Sequence, residues 1–147
     1  MLNSKGMTLI EILIAISLIA ILSSVSFKAF QGLRPSLKLS SATRDLITDI
    51  RYVQELAVTE QVLHGICFFT LEDKYQLIRY GTDEEILQEK ILPSGISFQE
   101  INGFSGNCVK FNPYGAVKKS GNIILINQKS ETKTIEVRPS GFSKIQG

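Results

Sequence analysis

The sequence has few of the residues on which most enzyme and metal sites depend. It contains one histidine, His64, and two cysteines, Cys67 and Cys108, which stand far apart in the chain. These three residues lack the ligand spacing of a zinc site, and no glycine-rich phosphate loop is present. His64 would act as a base only beside a nucleophile, and a hydrogen-bonded strand histidine is the better interpretation. We therefore predict no catalytic residue, no metal site and no cofactor.

The net charge of +2 conceals two oppositely charged parts of the chain. Residues 60–100 carry eight acids and three bases, whereas residues 108–147 carry seven bases and two acids. Such a division is typical of a solvated surface, but it could also order subunits head to tail or present a basic face. The acidic run 83–85 matches no calcium loop, and a solvated turn is the better interpretation.

The state of the two cysteines stays open in the sequence. Their even number allows a disulfide if the domain faces an oxidising compartment. Cys67 and Cys108 also lie in apolar, strand-like runs, where a reduced buried thiol packs well. Of the two states, we expect the reduced one.

A long apolar run near the N-terminus is the feature around which the chain is organised. Residues 7–30 would form a helix of ~36 Å at 1.5 Å per residue, which is enough to cross a hydrocarbon core of ~30 Å. The preceding residues 1–6 are hydrophilic, with Lys5 as their only charge. We predict a leader at 1–6 and a single membrane-spanning or filament-core helix at 7–30.

Glu11 is a carboxylate inside this apolar run. An ionisable group at such a position is costly in a membrane and is by default a functional hypothesis. No Lys, Arg or His lies between Thr8 and Phe27. A cut between Gly6 and Met7 would create a positive α-amino group one helical turn before Glu11, and until that cut the charge does not exist.

Three other interpretations of residues 7–30 stay open. The small residues Ser24-Val25-Ser26 could be the cleavage site of an ordinary signal peptide, although Glu11 would be unusual in its apolar segment. An uncleaved signal anchor would also fit. A core helix of a soluble protein fits poorly, because a run that is apolar on all sides leaves no polar face.

The rest of the chain predicts an α+β fold. Gly32 and Pro35 should interrupt the helix. After them an amphipathic helix is indicated by apolar residues at intervals of three and four, namely Leu39, Ala42, Leu46, Ile50, Val53 and Ala57. Strands are predicted at residues 62–71, 75–80, 86–92, 96–101, 108–112, 122–127 and 134–138.

The order of these elements predicts how they pack. No strand–helix–strand alternation is present, so the sheet should be antiparallel. The fold class is therefore a long N-terminal helix, with a membrane half and an amphipathic half, packed against an antiparallel β-sheet. The domain outside the membrane should comprise residues 31–147, including the amphipathic half of the helix.

The N-terminal residues Lys5-Gly6-Met7-Thr8-Leu9-Ile10-Glu11, with the apolar run after them, resemble the class III signal of type IV pilins and type II secretion pseudopilins. Met7 stands where Phe is usual. The resemblance implies cleavage after Gly6 by a prepilin peptidase, methylation of the Met7 amine, and neutralisation of a neighbour's N-terminal amine by Glu11 as helices bundle into a filament. It also implies a single-pass protein of the bacterial inner membrane, with other pilins or pseudopilins as partners.

The C-terminal third resembles the β-rich domain of minor pseudopilins related to GspH and FimT. The resemblance is carried by Phe111-Asn112-Pro113-Tyr114-Gly115, by Gly121-Asn122-Ile123-Ile124-Leu125, and by Ile135-Glu136-Val137 with Gly141 after it. It implies a structural subunit of a filament or secretion system, and not an enzyme.

A DNA-binding minor pilin for natural transformation is the alternative. Some relatives of the FimT type end in a Gly-Arg-x-Arg pattern that binds DNA, whereas this chain has Gly141-Phe142-Ser143-Lys144. Arg138 and Lys144 are the candidate contacts. The seven bases of residues 108–147 are spread over several predicted strands and turns, and only one is arginine, the better phosphate ligand. The sequence therefore favours the structural subunit over a nucleic-acid partner.

Overall fold

The computed structural model describes residues 8–146, with the side chains of residues 24–31 left out. The predicted processing residues Gly6 and Met7 lie outside the described residues. The described elements, in chain order, are α1 (Leu9–Glu60), β1 (Leu63–Phe69), β2 (Lys74–Tyr80), β3 (Glu84–Ile91), β4 (Ile96–Asn102), a short 3-10 turn (Ser105–Asn107), β5 (Cys108–Phe111), β6 (Gly121–Asn127), β7 (Thr132–Val137) and β8 (Ser143–Gln146).

Helix α1 is continuous over 52 residues and contains Pro35. The prediction of one long helix with two halves is therefore confirmed, while the kink expected at Pro35 stays a prediction. One proline removes a single backbone hydrogen bond and costs about 3 kcal/mol, and the strongly helical patterns on both sides outweigh that cost. Among the described residues, no helix is both long enough and apolar enough to cross a membrane. The predicted span 7–30 includes Met7 and the side chains of residues 24–30, which the structure does not describe.

The amphipathic part of α1 supplies one wall of the core. The six apolar residues that the pattern singled out are each at most 2% exposed, namely Leu39, Ala42, Leu46, Ile50, Val53 and Ala57. They belong to one buried cluster that also contains the inward-facing residues of β1, β2, β4, β5, β6 and β7. The residues from Pro35 onward form a compact unit of their own.

The strands form two four-stranded antiparallel sheets. The first sheet has the strand order β3-β2-β1-β5, and the second has β4-β6-β7-β8. The predicted α+β fold class is confirmed, with the strands divided between two sheets where one was expected. Seven predicted strands match β1 to β7 in order, because each shows the alternation or apolar run typical of strands.

Strand β8 is the element that the sequence did not predict. Its four residues pair with β7 from Val137↔Ser143 to Thr134↔Gln146. The strand is short and lacks an apolar alternation of its own, so its extended form depends on β7 beside it.

A disulfide joins Cys67 of β1 to Cys108 of β5. The two residues are direct partners in the antiparallel register, with Cα atoms 4.1 Å apart. The expected reduced state is therefore wrong. The pairing of β1 with β5 spans 41 residues of sequence, and local patterns carry no information about such a register.

We predict that replacing both cysteines, Cys67→Ala with Cys108→Ala, lowers the free energy of unfolding by ~2–4 kcal/mol, because the cross-link restricts the unfolded chain. The measurement is urea unfolding of residues 37–147, which contain the whole buried core. Reductant should lower the wild-type midpoint to that of the variant and leave the variant unchanged. Equal midpoints for oxidised wild type and variant would contradict the prediction.

Candidate assembly site

The first turns of α1 expose apolar side chains on every face. Between residues 9 and 22 the exposed fraction of the large ones runs from 46% to 77%; they are Leu9, Ile10, Ile12, Leu13, Ile14, Ile16, Leu18, Ile19, Ile21 and Leu22. The Ser17 hydroxyl donates a hydrogen bond to the Leu13 carbonyl at 2.7 Å. Its donor is therefore satisfied within the helix. An apolar surface this continuous is typical of a segment that other helices or lipid cover.

Glu11 is the one ionisable residue of this segment, and it is exposed. Its backbone N–H donates to the Thr8 carbonyl at 3.1 Å and lies 3.4 Å from Thr8 Oγ1. Thr8 precedes the first helical residue and Glu11 follows three positions later, which is the composition of a capping box. An acid in the first turn also complements the helix dipole.

The capping arrangement is a second explanation for Glu11 that the sequence reasoning missed. The Thr-x-x-Glu spacing was the signal that could have found it. The long distance to Thr8 Oγ1 makes the cap weak. The pairing of Glu11 with the Met7 amine stays a prediction, because Met7 lies outside the described residues.

The two candidate DNA contacts, Arg138 and Lys144, lie together at the edge of the second sheet. Both of them pair with the same carboxylate, that of Glu136. Arg138 Nε is 3.1 Å from Glu136 Oε1, and Lys144 Nζ is 3.2 Å from Glu136 Oε2. Gln146 donates to the same carboxylate at 2.6 Å. The hydrogen bonds from Arg138 and then Lys144 lower the pKa of Glu136, so the acid stays charged and offsets both bases.

The buried polar residues of the domain include a network between α1 and the first sheet. Asp49 of α1 is 7% exposed and accepts hydrogen bonds from Lys90 Nζ at 2.7 and 2.8 Å and from the Tyr75 hydroxyl at 2.6 Å. Burial and the Asp49 carboxylate raise the pKa of Tyr75 strongly, so its hydroxyl remains a donor. The network ties the edge strand β3 to the helix.

His64 lies on β1 and is fully buried. Its Nδ1 is 2.9 Å from the Val62 carbonyl, and its Nε2 is 3.4 Å from Glu60 Oε2. Both neighbours are backbone or carboxylate oxygens, and His64 contacts no nucleophile in these interactions. The Nδ1 contact agrees with a hydrogen-bonded strand histidine, whereas the buried Nε2 makes no hydrogen bond in the described part of the chain.

Two protein families match different parts of the chain. Residues 1–27 match the prokaryotic N-terminal methylation motif. Residues 42–141, more than half of the chain, match the family of the type II transport protein GspH. The chain belongs to the GspH family. This GspH-family chain therefore combines an N-terminal methylation motif with the domain of a type II transport protein.

Solved structures share the fold of this GspH-family chain. The minor pseudopilin EpsH from the type II secretion system of Vibrio cholerae matches with a TM-score of 0.65 at 10% identity, over 75% of this chain and 97% of that chain. The type IV minor pilin FimU of Pseudomonas aeruginosa matches with a TM-score of 0.63 at 10% identity, over 76% and 90%. At this identity the likeness shows the fold alone. No curated protein matches the chain.

We predict that Lys90→Met destabilises the domain by ~1–3 kcal/mol, because it leaves the Asp49 carboxylate buried without its cation. The value is set below that of a fully buried pair because the Lys90 side chain is 35% exposed. Thermal or urea unfolding of residues 37–147 measures it, with Lys118→Met as the matched control at an exposed lysine.

A double variant tests whether the loss comes from the unpaired charge. Adding Asp49→Asn to Lys90→Met removes the buried charge and keeps an oxygen acceptor for Tyr75, so most of the lost stability should return. A double variant no more stable than Lys90→Met would show that the network has another role.

Proposed function

We propose that this chain is a filament subunit that a prepilin peptidase cuts after Gly6 and methylates on Met7. Residues 7–30 would hold it in the bacterial inner membrane, with residues 31–147 outside the cytoplasm, until its N-terminal helix packs among those of other pilins or pseudopilins. The observation that carries the proposal is the apolar first part of α1, exposed on every face and interrupted by the single carboxylate of Glu11.

The apolar surface explains why the helix needs two successive environments. Each exposed Leu or Ile loses ~1.5–3 kcal/mol of burial free energy in water, and ten such side chains stand between residues 9 and 22. Lipid covers all of them but leaves Glu11 without a partner at a cost of a few kcal/mol. A bundle of identical helix segments covers the same side chains and places a neighbour's Met7 amine near the carboxylate. Assembly is then favoured over the membrane state.

The capping arrangement offers a competing role for Glu11, and the two roles make different demands. A cap needs only an oxygen near the Thr8 N–H, which a glutamine side chain also supplies. Neutralising a neighbour's amine needs the negative charge. Glu11→Gln therefore separates the two.

We predict that Glu11→Gln and Glu11→Val are both processed normally but enter filaments poorly. Intact-mass analysis should show wild type and both variants beginning at Met7, without residues 1–6 and heavier by one methyl group. The amount of each chain in sheared filament fractions measures assembly, and Ser17→Ala is the matched control, because it removes a polar side chain of the same run without removing a charge.

Different results would contradict the role proposed for Glu11 and the processing site proposed after the leader. Filament incorporation of Glu11→Gln at the wild-type level would leave the cap as the role of Glu11. A mature chain beginning at Phe27, or at Met1 with active peptidase present, would refute the processing site. Gly6→Val should block the cut, since it places a branched side chain at the scissile bond.

The DNA-binding alternative rests on Arg138 and Lys144, and their shared carboxylate weakens it. We predict that residues 37–147 bind duplex DNA no tighter than ~10⁻⁴–10⁻⁶ M at physiological salt, the range of non-specific binding. Glu136→Gln should strengthen binding and steepen its salt dependence, by roughly 0.9 in the log–log slope for each additional phosphate that the freed bases neutralise. Fluorescence anisotropy measures both.

The opposite result would change the ranking of the two functions. A submicromolar affinity of the wild type, lost on changing Arg138 and Lys144 to Ala but kept in Lys129→Ala with Lys133→Ala, would make DNA reception the leading function.

A further inference from the structure

The disulfide between Cys67 and Cys108 can be reached from the surface on two sides. Both cysteines line a cavity of about 430 Å³ on the outer face of the first sheet. Cys108 also lines a second cavity, of about 350 Å³, beside strand β5. Cys67 is 8% exposed, whereas Cys108 is only half-buried. A thiol in solution can therefore approach the bond, and Cys108 is the cysteine that it meets first.

The second cavity is basic. Three exposed lysines line it, namely Lys110, Lys118 and Lys119. Its described lining residues include no acid, and within the part of the chain that the structure describes none of the three lysines forms an ion pair within 4 Å. The other cavity contains Glu84. An anion should therefore approach Cys108 through the second cavity, which we call the basic groove.

Tyr80 is placed to stabilise a negative charge on the other cysteine. Its hydroxyl oxygen lies 3.4 Å from Cys67 Sγ. A disulfide sulfur carries no hydrogen, so the hydroxyl is the donor in this contact. Lys110 Nζ lies 3.9 Å from the centroid of the Tyr80 ring, and a cation over the ring makes the hydroxyl a stronger donor. A thiolate formed on Cys67 would receive a charge-assisted hydrogen bond from Tyr80.

Gly65 holds the Tyr80 ring in this position. A Cβ atom at Gly65 would lie 3.2 Å from Tyr80 Cε2 and 2.8 Å from the Val109 carbonyl oxygen. The ring therefore lies against the bare backbone of β1, at a point where a larger residue would displace it. Gly65 is also the partner of Lys110 in the pairing of β1 with β5. The ring, the lysine and the hydroxyl are thus in place before any thiol arrives.

The surroundings of Cys108 are less favourable for a negative charge. Cys108 Sγ lies 3.2 Å from the Gly106 carbonyl oxygen, the negative end of a dipole that would repel a thiolate. When the disulfide breaks, its electron pair should therefore move to Cys67. The exposure of the two residues favours the same direction, because the incoming sulfur reaches Cys108 more easily.

We propose that Cys108 is a thiolation site for anionic thiols. The thiolate sulfur of the incoming molecule attacks Cys108 Sγ and forms a mixed disulfide with it. The bond between Cys67 and Cys108 breaks, and its electron pair stays on Cys67 as a thiolate that accepts the Tyr80 hydrogen bond. No further reductant is needed, since the negative charge of the attacking thiolate passes to Cys67. The acidic groups of the thiol lie among the three lysines of the basic groove.

Thiolation would free strand β5 from its cross-link. The strand has four residues, lies at one edge of the first sheet and pairs with β1. Without the bond, the unfolded chain is no longer restricted, and the domain loses that part of its stability. The supply of anionic thiol is thereby linked to the stability of the domain, a property that goes beyond the proposed filament function and does not depend on it.

The test uses the full chain in micelles of an uncharged detergent and two thiols with the same carbon chain. Mercaptoethanesulfonate carries a negative group, and cysteamine carries a positive one. Acid stops the exchange at early times, N-ethylmaleimide then blocks free thiols in denaturant, and mass spectrometry locates both groups. We expect the added thiol on Cys108 and the maleimide on Cys67. The rate constant per thiolate should be roughly tenfold larger for the anionic thiol.

Variants separate the two parts of the site. Lys118→Met with Lys119→Met should bring the rate constant of the anionic thiol close to that of cysteamine. Lys129→Met with Lys133→Met removes the same charge from the second sheet and should leave both rate constants unchanged. Tyr80→Phe keeps the ring and removes the hydroxyl, so it should slow the exchange with both thiols by roughly tenfold.

Urea distinguishes exchange in the folded domain from exchange after unfolding. Well below the unfolding midpoint the rate should not change with urea, whereas exchange that requires unfolding accelerates with every addition. Four results would overturn the proposal: a rate that rises from the first addition, equal rate constants for the two thiols, an adduct on Cys67, or an unchanged rate in Tyr80→Phe. None of them bears on the filament proposal, which is tested by processing at Gly6 and by the Glu11 variants.

Discussion

The fold depends on one buried stripe of helix α1 that packs against the inner faces of both sheets. Leu46, Ile50 and Val53 have no exposed surface, and they share one core cluster with the inner faces of the first and second sheets. A sheet with one apolar face must bury that face against a second layer. Helix α1 supplies that layer for two sheets at once, so removing the stripe would expose both.

The same helix has an opposite character nearer its start. Its first turns expose Leu and Ile side chains on all faces, where the domain part of the helix buries only one stripe. The difference follows from the sequence, in which a run that is apolar except for Glu11 and Ser17 gives way to apolar residues at a spacing of three and four. The helix therefore exposes its apolar surface first and buries an apolar stripe afterwards. This is the physical basis of the proposed filament subunit.

Many of the charged residues of the domain are paired within it. Asp49, Lys90 and Tyr75 satisfy one another beneath the helix, and Glu136 satisfies Arg138 and Lys144 at the edge of the second sheet. Glu85 and Glu89 on the edge strand β3 likewise lie 3.6 Å from Arg79 and Lys74.

Local patterns in the sequence determined much of this protein. Apolar spacing predicted the buried stripe from Leu39 to Ala57 and seven strands in their order, because periodicity records which side of an element is buried. The N-terminal motif with Glu11 was also recognisable, since its residues are consecutive. Tertiary structure alone decided the division into two sheets, the strand β8, the bond between Cys67 and Cys108, and the shared carboxylate of Glu136. Each of these depends on the register between strands that are distant in sequence or not recognisable alone, and a register is chosen by the packing of the whole core.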